Sequence, residues 1–272
     1  MRKLTGIIAL LLMLFAFPAC AGGDAGADNQ NPQDNQSEAD NITGDIIEDE
    51  EEEEVENPGN VTDPDKPIVA LTLDDGPNTT VSADILDALE ERGVVATYFV
   101  IGGNINDQTA EIMRRAYALG CEYANHSWGW ESMGRMEAET IIKSTTRTSD
   151  KIAEILGEDA RPRFFRAPNL NTSAEMLETV KELGYPLMNG ITGNDWTNID
   201  AEGIFDLIVP KVEDGSIILL HDGTSNTATA EAIGDIIDAL LEKGFQFVTL
   251  TEMFEIKGIE PEAGKIYNSV WG

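Results

Sequence analysis

Residues 71–77 read Leu71-Thr72-Leu73-Asp74-Asp75-Gly76-Pro77 and close an apolar, β-favouring run that opens with Ile68-Val69-Ala70. Two adjacent carboxylates followed by Gly-Pro end the run abruptly, as a tight turn ends a buried strand. Side-chain alternation at a strand tip points Asp74 and Asp75 in different directions. One carboxylate can then serve as a metal ligand and the other as a base. Taken alone, the same residues also suit an ordinary turn; the rest of the chain decides between the two readings.

Outward from this stretch, residues 67–272 alternate short β-like runs with amphipathic helical stretches, without an internal repeat. Strands are expected at 68–73, 94–101, 121–126, 164–167, 186–190, 216–221 and 245–250. Helices are expected near 80–92, 107–119, 137–156, 173–184, 200–210 and 226–242. In the last of these, Ala232, Ile233, Ile236, Ile237, Leu240 and Leu241 recur at helical spacing. Glycines after the periodicity (Gly93, Gly120, Gly184, Gly244) suit helix C-terminal caps. About seven βα units in one domain predict an α/β fold of parallel strands closed into a (β/α) barrel, with chemistry at the C-terminal strand ends. Those ends carry Asp74-Asp75, Asn125-His126-Ser127, Arg166-Ala167-Pro168-Asn169, Asp195-Trp196 and Leu219-Leu220-His221-Asp222. Both histidines of the chain stand there.

The segment ahead of the domain has a different composition. Residues 21–66 hold sixteen Asp and Glu against Lys66 alone, a net of −15, including the acidic block 48–54. With no aromatic residue it buries too little apolar surface to offset its ordering entropy, so a disordered acidic tether is expected. Before it, Arg2-Lys3, the apolar run 7–17 and Pro18-Ala19-Cys20-Ala21-Gly22 form an export signal over residues 1–20. Cys20 stands where a bacterial lipoprotein signal carries its lipidated cysteine; cleavage after Ala21 is the rival reading. Either way the expected location is extracellular, with any membrane contact through a lipid anchor. Cys121 is then the one cysteine of the domain, so no disulfide framework is expected, and it reads as a small buried hydrophobe. The formal charge of −32 argues against nucleic acid as a partner. A sugar-phosphate enzyme is disfavoured too, for want of a glycine-rich phosphate loop. The domain is expected to act as a monomer.

The strand-end residues, taken together, resemble the polysaccharide deacetylases of carbohydrate esterase family 4. Thr72-Leu73-Asp74-Asp75-Gly76-Pro77 is similar to the family's first motif and His126-Ser127 to the start of its second. Arg166-Ala167-Pro168 resembles the third, Asp195-Trp196 the fourth and Leu219-Leu220-His221 the fifth, in order across residues 67–250. The resemblance implies a distorted, incomplete (β/α) barrel. It also implies a divalent metal on Asp75 and His126, zinc first, with cobalt or nickel as alternatives. By the family's mechanism a metal-bound water attacks an acetyl carbonyl. Asp74 is the base, oriented by Arg166, and His221, held by Asp195, is the general acid. The backbone N–H of Asn169 holds the oxyanion, while Trp196 and Leu219 wall a pocket for the acetyl methyl.

Two positions depart from the family pattern. Its second motif ends in a histidine four residues after the first, where this chain has Trp130, whose indole cannot ligate a metal. Residues four apart on a helical turn share a face, so position 130 is expected to look towards the metal beside His126. Glu131, Glu122 or water remain to complete the coordination. Trp128 and Trp130 are either sugar platforms or ordinary packing. The second departure is Asn169, where the family often has Tyr or Phe; a role through the backbone N–H tolerates the exchange. The expected activity is removal of acetyl groups from a polysaccharide: O-acetyl xylan, peptidoglycan N-acetylglucosamine or chitin-like oligomers. The alternative is a deacetylase fold that only binds glycans.

Overall fold

The computed structural model describes residues 63–271. The expected signal, Cys20 and the tether up to residue 62 lie outside them. Residues 63–66, read above as the tether's end, instead form a turn closed by Lys66 N–H donating to the Asp63 carbonyl (3.1 Å). The Gln246 amide offers both a donor and an acceptor, and Asp63 uses both, at 2.8 and 2.6 Å.

Strand β1 (Ile68–Asp74) is buried at every position, as an apolar strand between two packed layers must be. Its alternation sorts two cores. Val69, Leu71 and Leu73 face outward to a core shared with Ile85, Leu89, Ile236 and Leu240 of the covering helices. Ile68 and Ala70 face inward with Phe99, Phe164, Met188 and Ile217. By the same period Asp74 falls on the inner face.

β2 (Thr97–Val100) and β3 (Glu122–Asn125) extend the parallel sheet on one side of β1, and β6 (Ser216–His221) and β5 (Ile191–Thr192) on the other. β7 (Gln246–Phe247) pairs with the first two residues of β1, and β4 (Leu187–Met188) with β8 (Ile266–Tyr267). Single bridges through Phe165 link Asn125 to Leu187. No ladder joins β4 to β5 among the described residues, so the α/β barrel is distorted and open. Helices α1 (Val81–Arg92), α2 (Asp107–Leu119), α3 (Ala138–Leu156), α4 (Ala174–Glu182), α5 (Ala201–Ile208) and α6 (Thr227–Glu242) match the expected positions.

Two expected strands come out differently. Residues 164–167 contribute only the Phe165 bridges before the chain turns at Pro168. The strand expected at 245–250 stops at Phe247, because Thr249 opens α7 (Leu250–Lys257) with a capping box to Glu252.

Candidate active site

The inner face of β1 delivers Asp74 to a fully buried arginine. Arg166 Nη1 donates to Asp74 Oδ1 at 2.6 Å, while Nε and Nη2 donate to the carbonyls of Met188 (2.8 Å) and Asn189 (3.2 Å). The guanidinium also lies over the Phe99 ring, 4.0 Å from its centre. Burial draws the Arg166 pKa below its ordinary value, against the pull of Asp74. Three donors and a ring face fix the guanidinium, and through it the Asp74 carboxylate.

Asp75 leaves the strand with φ 79°, in the left-handed region that Asp tolerates better than most residues. Asp222, the residue after β6, holds this turn. It accepts Gly76 N–H at 2.9 Å and Ser82 Oγ–H at 2.5 Å, and a Cβ at Gly76 would overlap its carboxylate. The sequence marks Asp222 only as part of a strand end and does not reveal this role. Burial pushes its carboxyl up to about 7, with the hydrogen bonds from Ser82 and Gly76 opposing and Asp75 and Asp74 reinforcing. Asp75 itself is lowered. Burial works against that, but the contacts with His126, the charge of His221 and a hydrogen bond from Trp130 outweigh it.

His126 follows β3 and is buried. Its Nδ1 lies 2.8 Å from the Arg166 carbonyl, which only accepts, so Nδ1 is the donor and Nε2 faces the carboxylates. Nε2 stands 3.5 Å from Asp75 Oδ1 and 3.8 Å from Asp74 Oδ2. Two ligand atoms at about 2.1 Å from a tetrahedral ion are themselves about 3.4 Å apart. The Asp75–His126 pair therefore fits a divalent cation, supplying two ligands. Among the described residues no group of three or more His, Cys, Asp or Glu side chains could hold a metal.

Opposite, His221 ends β6 with Nδ1 2.9 Å from Asp195 Oδ1. The other Asp195 oxygen accepts from His221 N–H (2.7 Å) and Thr229 Oγ–H (2.8 Å), and Asn226 Nδ2 donates to the Asp195 carbonyl (3.0 Å). Burial would discharge the His221 ring. The Asp195 hydrogen bond and the charges of Asp74, Asp195 and Asp75 prevail and raise its pKa to about 9. The Asp195 contact and the neighbouring carboxylates thus favour the protonated, acid form of the imidazole.

These groups share one cavity of about 650 Å³, also lined by Trp130, Asn169, Trp196 and Leu219. Asn169 adopts φ 57°, and its N–H has no hydrogen-bond partner among the described residues. Trp196 is half-exposed and meets the His221 ring edge-on at 5.6 Å. Residues 128–130 bend instead of forming the expected helical turn, because Ser127 takes φ 70°. Trp130 still arrives at the pair, its indole N–H donating to Asp75 Oδ1 at 2.9 Å. Trp128 does not line the cavity; it packs beneath Arg147, 3.4 Å from ring centre to guanidinium carbon, so ordinary packing is the reading that holds for it. Glu122 is engaged at the start of β3 by Thr97 and Thr251, at the far end of the barrel, and is no ligand. The exposed Glu131 is likewise absent from the lining. Cys121 is buried, and burial pushes its thiol up to about 12, as a small core hydrophobe.

The polysaccharide deacetylase family model matches residues 62–188. A family 4 acetyl xylan esterase of Clostridium thermocellum, solved with a cobalt ion, shares the fold with a TM-score of 0.70 at 40% identity, covering 75% of this chain and 98% of that one. The chain belongs to the polysaccharide deacetylase family. A bifunctional xylanase/deacetylase of Pseudobutyrivibrio xylanivorans is 38% identical over 205 residues, 75% of this chain and 33% of that protein. The peptidoglycan-N-acetylmuramic acid deacetylase PdaC of Bacillus subtilis is 32% identical over 195 residues, 72% of this chain and 40% of that protein. The chain thus spans about a third to two fifths of the length of these two relatives. As a member of carbohydrate esterase family 4 it is a hydrolase; four of the five motif-like stretches line the cavity just described, and the third reaches it through Asn169 and through the Arg166 bond to Asp74.

Proposed function

We propose that this deacetylase removes acetyl groups from a polysaccharide outside the cell, O-acetyl xylan foremost. The single observation that carries the reading is the pairing, in one cavity, of an Arg-held carboxylate (Asp74) with an Asp-held imidazole (His221). A site that only bound glycans would need neither. Asp74 Oδ1 is occupied by Arg166, so Oδ2, on the cavity side, takes the proton from the attacking water. The Asn169 N–H donates to the developing oxyanion. His221, its Nδ1 fixed on Asp195, gives its Nε2 proton to the departing alkoxide, while Leu219 and Trp196 wall the acetyl methyl. Asp75 Oδ1 and His126 Nε2 would hold a divalent metal, zinc ahead of cobalt or nickel, which when bound polarises the acetyl carbonyl and acidifies water.

The higher identity to the acetyl xylan esterase and the xylanase/deacetylase than to the peptidoglycan enzyme supports xylan. The signal-like start and Cys20 support an anchored, extracellular location. Asp63 is fastened to Gln246 beside the first residue of β1, at the end opposite the cavity. The test is acetate release from acetylated xylan, acetylated peptidoglycan strands and chitin oligomers side by side. Release from xylan at least about tenfold faster than from the others is expected; binding without release from any of them refutes the reading.

A further inference from the structure

A second cavity, of about 440 Å³, adjoins the first, and Asp75 and Trp130 line both. Trp130 is therefore the shared wall. It is 57% exposed, and its indole N–H is pinned to Asp75 Oδ1, so the ring is presented in one orientation. Most of the residues that line the second cavity are of polar type, with the Trp130 ring and Pro77 among them. Asn78 and Asn106 are committed to their own turns and caps: Asn78 bonds Ser82 and the Asp222 carbonyl, and Asn106 caps α2. Gln108, Thr79 and Thr224, by contrast, are exposed, and their side chains make no hydrogen bond among the described residues. Neither cavity is lined by a lysine or arginine, while Asp74, Asp75 and Asp195 contribute carboxylates.

An anchored, half-exposed indole flanked by free amide and hydroxyl groups matches the surface of a sugar ring, with one apolar face and hydroxyls at its rim. The second cavity holds no cationic side chain and carries the Asp75 carboxylate at its wall, which disfavours a negatively charged sugar within it. We propose that the second cavity is a sugar subsite. A neutral glycan chain then runs from the acetyl site across the Trp130 indole and sets a neighbouring sugar against Gln108, Thr79 and Thr224. This rests on the polysaccharide reading above and adds the direction of the chain and its charge.

The test is calorimetric binding of unacetylated oligosaccharides to the metal-free full chain, which involves no acetyl chemistry. Xylose and N-acetylglucosamine series of two to six units are the probes. In one series or the other the hexamer should bind at least about tenfold more tightly than the dimer. Gln108→Ala and Thr224→Ala remove the proposed amide and hydroxyl partners, both at exposed positions, and each should cut that ratio to about threefold or less. A hexamer carrying a uronic acid should bind about fivefold or more weakly than its neutral counterpart. No gain with length in either series, or a gain that survives both variants, overturns the subsite; equal binding of the charged hexamer overturns the neutral specificity. Failure to release acetate from any substrate would refute the proposed function instead, leaving the length ratio as a separate result.

Discussion

Trp130→His is the substitution whose outcome the geometry constrains most. Asp75 Oδ1 and His126 Nε2 stand 3.5 Å apart, a spacing that suits two ligands of one tetrahedral ion. The Trp130 ring nitrogen is 2.9 Å from the same Asp75 oxygen, so a side chain at position 130 reaches the ligand pair. The indole brings a donor to that oxygen and no lone pair; an imidazole brings a lone pair. The exchange replaces a water ligand with a nitrogen and frees Asp75 Oδ1 from a competing hydrogen bond. Both changes favour the metal. The expected gain is at least about tenfold in affinity, on the order of 1.4 kcal/mol. Zinc and cobalt titrated into chelator-stripped wild type and variant would measure it. Wild type should yield its metal to mild chelators and accept cobalt nearly as readily as zinc. Glu131→Gln is the control and should change nothing, since its carboxylate lies outside the cavity lining. Equal or weaker metal affinity in Trp130→His, or a loss in Glu131→Gln, would refute this account of the ligand set.

Other expectations follow from the buried charges. Because His221 must be protonated to act, and its pKa is raised to about 9, kcat/KM should fall as pH rises through about 9. A pH–rate profile checks this, and His221→Gln should lose that limb along with about 10²–10⁴-fold in rate. Arg166→Met leaves the Asp74 carboxylate buried without its partner and should cost about 3–5 kcal/mol in urea unfolding. Asp222 is raised from 3.8 to about 7, so the native state holds a proton that the unfolded chain has released, and stability falls as pH climbs through that window. Asp222→Asn removes that dependence. The difference in Tm, variant minus wild type, should therefore grow between pH 3.8 and about 7 in metal-free protein and level off above it.

The strand that ends at the Asp74-Asp75 pair is legible because β1 is a long apolar run, and the six helices because their apolar spacing and caps agree; that both carboxylates reach one cavity is not, because Asp75 leaves the strand with a positive φ. Shorter features left no such trace. β5 and β8 have two residues each, too few to show a period. Thr249-Leu250-Thr251-Glu252 is a readable capping box, but the β-favouring residues around it argued for a longer strand and masked α7. The route of residues 126–130 depends on a positive φ at Ser127, which no spacing rule anticipates, though Trp130 reaches the metal pair all the same. Asp222 escaped because its partners, Gly76 and Ser82, lie 146 and 140 residues away in sequence. The chemistry of the site was written in residue types at strand ends; the packing that supports it depends on contacts between distant parts of the chain.

In the proposed mechanism Asp74 moves the proton while Asp75 holds the metal, and one paired measurement separates the two roles. Acetate release from acetylated xylan and bound metal should be determined together for wild type, Asp74→Asn and Asp75→Asn. Wild type should release acetate, and Asp74→Asn should keep nearly full metal with a loss of about 10²–10⁴-fold in rate. In Asp75→Asn the metal itself should be lost. An emptied site in Asp74→Asn beside a loaded one in Asp75→Asn, or no acetate released by the metal-loaded wild type, would contradict that mechanism.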